Sequence, residues 1–387
     1  MRVMFVTWAW PSHFYPLVPL AWAFQAAGHE VRVASQPALT ETIVRAGLTA
    51  VPVGQDVDML AIAQPFYQWV ADQKRPVEWA HLREKGPLTV RMYVIMARSM
   101  VDDTIAFGRA WRPGLIVYEP TSYAGPLAAA VLGIPAIRHA YGVDFPCQAR
   151  EFEDEALAGL CCRLGLDSVE PLGLATVDPC PPSMQVASSV ARIPMRYVPY
   201  NGPAVFPEWL SRPPARRRIC VTWGTSSSVL TGGRMFLPPR VIEAAGDLDI
   251  EIVASMTARD AASLGAVPPN VRVVEALALH LLLPSCDAVV HQGGNGTLLT
   301  AALCGVPQLA LPQLPDQMFY TAKLAESGAG AVLRMDQIAD EVLARRLADI
   351  LNEPGYAAAA RRVRAEILGQ PSAAQTVPAV ADLVAGR

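Results

Sequence analysis

The chain has 387 residues, of which 52% are hydrophobic and 17% charged, with a formal net charge of −3 at neutral pH. That length suits two domains of roughly 100 to 200 residues, and a composition this apolar excludes intrinsic disorder. Nothing in the charge points to nucleic acid or an anionic membrane, no apolar run reaches the ~18 residues of a membrane-spanning helix, and cysteines without CxxC or Cys/His spacing read as reduced thiols in a cytoplasmic protein.

RVMFVTWAW (2–10) reads as a buried strand, and LVPLAWAFQAAG (17–28) has helical apolar spacing that ends on Gly28, a C′ residue. EVRVAS (30–35) is the next strand, so the chain opens on a βαβ unit with a right-handed crossover. TETIVRAG and TAVPVG repeat the alternation. Between Asp56 and Trp111 the pattern changes to longer helices studded with Met and aromatic residues. GLIVYEP (114–120), a helix from Gly125 to Leu132 and PAIRHA (135–140) restore the rhythm. Residues 195–217 are rich in Pro and polar groups, which suit neither a central strand nor a helix interior, and the linker falls at 201–217. RICVTWG (218–224), DIEIVAS (249–255), VRVVEA (271–276), DAVVHQ (287–292) and PQLALP (307–312) are further strands separated by helices. The expected fold class is α/β: one domain over 1–200 and another over 218–370, each a mostly parallel sheet covered on both faces. Ligands then belong at the carboxyl ends of the strands.

HQGGNGTLLTAALCG, from His291, is a strand end, a glycine-rich turn and a helix in succession. Gly293, Gly294 and Gly296 let the chain turn sharply and let backbone N–H groups approach a ligand. The orphan N–H groups of the first helical turn and the helix dipole favour an anion, and His291 is a further candidate donor. A tight turn without a ligand would show the same glycines; the convergence of a histidine and three glycines at a strand end favours the anion. GxxxxGK[ST] is absent, and WAWPSHFYP after the first strand contains no glycine, so neither a P-loop nor a dinucleotide fingerprint is present.

Downstream, Asp316 and Gln317 offer acceptors and donors suited to sugar hydroxyls, although an N-capping Asp beside a solvated Gln fits the same pair. His13, in PSHFYP, has the chemistry to take a proton from a hydroxyl. Thr225 and Ser226 in TWGTSS bind a phosphate or cap a helix. Asp144 in YGVDFP is a second carboxylate near the domain junction, or a turn residue. Phe14, Phe66, Trp79 and Met92, with Tyr67, Trp69, Tyr93, Met96 and Met100, are candidates for an apolar pocket as well as for core packing.

Three blocks, RVMFVTWAWPSHFYPLVPLAWAFQAAGHEVRVAS, VTWGTS and VRVVEALALHLLLPSCDAVVHQGGNGTLLTAALCGVPQLALPQLPDQMFYTAKLAESGAG, together resemble the nucleotide-sugar glycosyltransferases that decorate bacterial polyketides and other natural products. The resemblance spans nearly the whole chain. It implies the GT-B fold, two Rossmann-like domains facing a central cleft, with a last helix (371–387) crossing back to the first domain. It also implies an inverting transfer with no metal and no other cofactor.

Carried over by position, His13 resembles the general base of that family. His291 and the turn Gly293, Gly294, Asn295, Gly296 and Thr297 resemble its diphosphate cradle, approached by Thr225 and Ser226, and Asp316 with Gln317 resemble its sugar-contacting pair. The base-binding segment maps to Glu275–Leu279, where Ala276 and Ala278 stand in place of an aromatic residue and a proline. Backbone contacts at Leu277 and Leu279 become the expected way to hold the nucleobase. Asn295 replaces a small residue, a departure the sequence does not explain.

The expected activity is transfer of a deoxysugar, with L-rhamnose a candidate, from a dTDP-sugar to a hydroxyl of a hydrophobic polyketide or macrolide aglycone in antibiotic-type biosynthesis. Phe14, Phe66, Trp79, Met92 and Asp144 are the candidate acceptor pocket. The expected partners are these two small molecules, with no nucleic acid and no membrane insertion, and a homodimer is compatible with the reading. A nucleotide-sugar epimerase on the same fold and a non-catalytic glycosyltransferase helper are the rival readings.

Overall fold

The structure, a computed structural model, describes residues 1–386 except 74, 189, 247 and 276. β1 (Arg2–Val6) lies in parallel between β2 (Glu30–Ser35) and β4 (Leu115–Tyr118). β3 (Ala50–Pro52) extends the sheet on the β2 side, and β5 (Ala136–His139), β6 (Thr176–Asp178) and β7 (Arg192–Pro194) extend it on the other, in the order β3-β2-β1-β4-β5-β6-β7. A second parallel sheet combines β8 (Arg217–Thr222), β9 (Ile250–Met256), β10 (Val271–Glu275), β11 (Ala288–His291), β12 (Gln308–Ala310) and β13 (Gly330–Val332) in the order β10-β9-β8-β11-β12-β13.

The alternation of side chains explains why the strands read as apolar runs. Val3 and Phe5 enter one core with Leu20, Phe24 and Val380, while Met4 and Val6 enter another with Met100, Ile116 and Leu127. Both faces of β1 are therefore covered, as a parallel sheet requires. Likewise Ile219 and Val221 of β8 face a different core from Cys220.

The first strand stops at Val6 rather than running on to Trp10. The Thr7 amide still donates to Ala34 O at 3.2 Å, but the Trp8 amide turns to Ser122 Oγ at 3.0 Å, and Pro11 opens a short helix, Pro11–Phe14. β6, β7 and β13, of three residues each, are too short to carry a period. The Met- and aromatic-rich region forms helices Met59–Asp72, Trp79–Arg83 and Arg91–Trp111.

The last helix, Ala373–Ala385, is capped by Ser372, whose side chain accepts from the Gln375 amide at 3.3 Å. It packs on the helix Val18–Ala26 and buries Val377 and Val380 in the first domain's core. The two domains also share an apolar seam, in which Val143, Met184 and Tyr197 meet Leu298, Leu299 and Leu324. Among the described residues no helix is long and apolar enough to cross a membrane. Val380→Ala removes about two methylene equivalents from a fully buried site. It is expected to destabilise the first domain by about 1.5 to 2 kcal/mol in urea unfolding.

Candidate active site

Loops that follow the strands of both sheets line one cavity of about 1110 Å³. Trp8 and His13 come from beyond β1, Thr121 from beyond β4 and Tyr141 from beyond β5. Opposite them Thr225 follows β8, Leu277 follows β10, Gly294 follows β11 and Asp316 follows β12. β1 and β8 each sit where their sheet's strand order reverses, the place where the crevice of a doubly wound sheet opens.

His13 is held by the short helix Pro11–Phe14, with its ring 4.8 Å from that of Trp8 and 4.9 Å from that of Tyr141 between centroids. Its Nδ1 lies 3.1 Å from Oε2 of Glu119, a residue with no solvent exposure. Burial pushes the Glu119 carboxyl up, but the neighbouring His13 and hydrogen bonds from His13, Ser122 and the Thr121 amide outweigh it, so the group is held below the usual carboxylate range. The Thr121 amide donates to Oε2 at 3.0 Å and the Ser122 hydroxyl donates to Oε1. An ionised carboxylate only accepts, so in the neutral ring His13 Nδ1 carries the proton and the lone pair lies on Nε2. Glu119 was not singled out among the sequence candidates, although it directly follows β4 within GLIVYEP; a carboxylate at the end of a fully buried strand is the signal that would have found it.

Across the cleft, Gly294 N-caps the helix Asn295–Cys304, and Gly294, Asn295, Gly296 and Thr297 line the cavity. Gly293 adopts φ of +94°, and a Cβ there would stand 2.6 Å from Thr321 Cγ2, so this turn needs glycine. Thr225, Ser226, Leu277 and Leu279 line the same side; Ala276 lies outside the described residues.

His291 and Gly293 do not line the cavity. The His291 Nδ1 accepts from the Gly293 amide at 3.0 Å, which leaves Nε2 to donate to Gln308 Oε1 at 2.9 Å, and Gln308 in turn donates to Leu298 O at 3.1 Å. Burial pushes the ring down to about 4 against the opposing bond to Gln308. In place of the expected phosphate donor, the structure shows a neutral imidazole that ties the turn to β12. Asn295 also differs: its carboxamide engages the backbone of Val143 in the other domain.

Asp316 and Gln317 begin the helix Pro315–Ser327 and both line the cavity. Gln317 Oε1 accepts from the amides of Gln313 at 3.0 Å and Leu314 at 3.2 Å, which fixes the loop. Burial pushes the Asp316 carboxyl up to about 6, moderated by the helix-start amides and by His13. The N-cap of this helix is Leu314 rather than Asp316, and Gln317 is buried rather than solvated.

Phe66, Trp79 and Met92 line the cavity, with Tyr67, Trp69 and Tyr93 beside them. Trp79 meets Phe145 edge-on at 5.5 Å. Two expected pocket residues do not belong to it. Phe14 is fully buried on the other face of the sheet with Leu17 and Phe24, where its helix turns it inward. Asp144 is buried in a two-pronged pair with Arg138, at 2.5 and 2.8 Å, and bonds Arg192 at 3.2 Å. Burial would raise its carboxyl, but the two guanidinium groups hold it below the usual range and leave it nothing to offer a ligand. Met96 and Met100 are core residues.

Two Rossmann-like domains, a histidine and buried carboxylate on one wall and a glycine-rich helix start on the other define a glycosyltransferase of the GT-B fold. Residues 22–224 match the family described as erythromycin biosynthesis protein CIII-like, N-terminal domain, and residues 239–383 match its C-terminal domain. The chain belongs to this EryCIII-like glycosyltransferase family. It is 40% identical over its full length, and over 97% of the relative, to the 10-deoxymethynolide desosaminyltransferase of Streptomyces venezuelae. Its fold is similar to that of the glycosyltransferase VinC solved with dTDP, with a TM-score of 0.83 and 32% identity over all of both chains. It is similar also to the spinosyn rhamnosyltransferase SpnG complexed with thymidine diphosphate, with a TM-score of 0.82 and 30% identity over 98% of this chain and 100% of the other.

Replacing His291 with Ala removes the acceptor of the Gly293 amide and the donor to Gln308 Oε1, while Gln308 keeps its bond to Leu298 O. A stability loss of about 1 to 3 kcal/mol is expected, measured by thermal unfolding in the absence of any nucleotide.

Proposed function

We propose that this glycosyltransferase moves a deoxysugar from a dTDP donor to a hydroxyl of an apolar macrolide or polyketide aglycone, with inversion at the anomeric carbon and without a metal. The observation that carries this reading is the His13–Glu119 pair facing the glycine-rich turn across an aromatic cleft. The dTDP bound by VinC and SpnG and the deoxysugars named for the relatives support the donor class. L-Rhamnose is the first sugar to test and desosamine the second.

His13 Nε2 takes the proton of the acceptor hydroxyl as its oxygen attacks the anomeric carbon from the face opposite the diphosphate. The Glu119 carboxylate stabilises the imidazolium that forms and holds the ring in its tautomer. The leaving diphosphate gathers charge at the helix start. There the backbone N–H groups of the turn, together with Thr225 and Ser226, stabilise it more in the transition state than in the ground state. Asp316 and Gln317 orient the sugar hydroxyls, and the backbone at Leu277 and Leu279 holds the nucleobase. Phe66, Trp79 and Met92 take the aglycone.

His13→Ala is expected to lower transfer by at least about 100-fold while dTDP binding, followed by calorimetry, stays as in the parent. Full activity in that variant would sink the base assignment, and turnover of the donor without any aglycone would favour an epimerase. Glu119→Gln keeps the shape of the site but not the charge, and a loss of about 100-fold or more in kcat is expected. Chelation with EDTA should leave the rate unchanged.

The Asp316 carboxyl takes up its proton as the pH falls through about 6 and then accepts fewer hydrogen bonds from the sugar. The KM for the dTDP-sugar should rise on acidification through that range, while the affinity for dTDP alone does not. In Asp316→Asn this limb of the profile should vanish.

A further inference from the structure

Asn295 stands in the diphosphate turn, yet its carboxamide points across the domain junction. Oδ1 accepts from the Val143 amide at 3.2 Å and Nδ2 donates at 3.4 Å to the Val143 carbonyl, which also accepts from the Phe145 amide at 2.9 Å, so one side chain bonds both backbone groups of one buried residue. Gly142 makes the approach possible: a Cβ there would lie 2.5 to 2.8 Å from the Asn295 carboxamide. The strand-end loop that receives Asn295 is itself fixed. Gln185 donates to Gly142 O at 3.2 Å and accepts from the Asp144 amide at 3.0 Å, and the Asp144 carboxylate is clamped by Arg138 and Arg192. Tyr141, the residue before Gly142, packs its ring 4.9 Å from that of His13.

We propose that Asn295 is a positioning residue for the transfer. Its two bonds to Val143 lock the donor-binding turn to the acceptor domain, and so set the distance between the anomeric carbon of the bound sugar and the oxygen that His13 deprotonates. The proposal rests on reading the turn as the diphosphate cradle and His13 as the base. A helix start binds the diphosphate through backbone N–H groups, so Asn295 is free to act across the junction without weakening that binding. Reactivity depends steeply on placement, and a shift of about 1 Å is enough to cost about 100-fold in rate.

The test uses the full chain with Asn295→Ala, Gly142→Ala and the double variant. Transfer kinetics, dTDP affinity by calorimetry and the radius of gyration of the dTDP complex by solution scattering are measured for each. Asn295→Ala is expected to lower kcat by 10- to 100-fold, with dTDP affinity within about 3-fold of the parent and a looser dTDP complex. Gly142→Ala evicts the carboxamide from the other side and should reproduce the defect, with the double variant no worse than either single one. Unchanged kcat in Asn295→Ala overturns the proposal. Loss of dTDP affinity in step with loss of rate also overturns it, since Asn295 would then be a phosphate contact. If Asn295→Ala fails to fold, full activity and full compactness in Gly142→Ala overturn it equally. Failure of the underlying reading looks different: the parent chain would then not bind dTDP, or His13→Ala would remain active.

Discussion

Each sheet begins in its middle. β1 has its neighbours on both sides supplied later, by β2 and β4, and β8 stands likewise between β9 and β11. The crossovers on the two sides leave toward opposite faces, so a crevice opens at the end of the central strand pair. Two such gaps face one another, and the chemistry occupies both. His13 leaves the end of β1 and Glu119 the end of β4, while Thr225 leaves the end of β8 and the glycine-rich turn the end of β11. The rest of the fold serves to keep these gaps opposed: an apolar seam glues the domains, and the last helix of the chain returns to the first domain's core.

Two carboxylates of the site, Glu119 behind the base and Asp316 in the cavity wall, are pushed in opposite directions by their surroundings. An ion removed from water costs several kcal/mol unless partners replace the solvent. Glu119 has such partners in His13, Thr121 and Ser122 and stays ionised. Asp316 has no cation paired to it among the described residues, only helix-start amides and a more distant histidine, and burial prevails. A carboxylate held ionised behind the base and a more readily protonated one lining the cavity thus stand in one site. Their difference lies in what packs around them, not in residue type.

That distinction also marks how far the sequence could be read. β1 and β11 were legible because strands buried on both faces must be apolar at nearly every position, and β2 and β8 through the apolar residues Val31, Val33 and Ala34 and the run Ile219, Cys220 and Val221. The glycine-rich turn and His13 were legible because local spacing carries their meaning. Glu119 pairs with a residue 106 positions away, and nothing in the neighbourhood of GLIVYEP announces that partner. Phe14 and Asp144 were misplaced for a related reason. A helix of four residues has too little length to show which side faces inward, and the two arginines that claim Asp144 come from β5 and β7.

The turn from His291 to Thr297 shows the same limit within seven residues. Its capacity for an anion resides in backbone N–H groups, which any sequence able to make the turn would supply. The side chains are thereby released for other work. Gly293 supplies a backbone angle, His291 reaches back to Gln308 on β12, and Asn295 reaches forward to Val143 in the opposite domain. A motif read as a set of ligand-binding side chains is better understood as a backbone cradle whose side chains fasten it to its surroundings. Where they fasten it determines what the bound diphosphate faces.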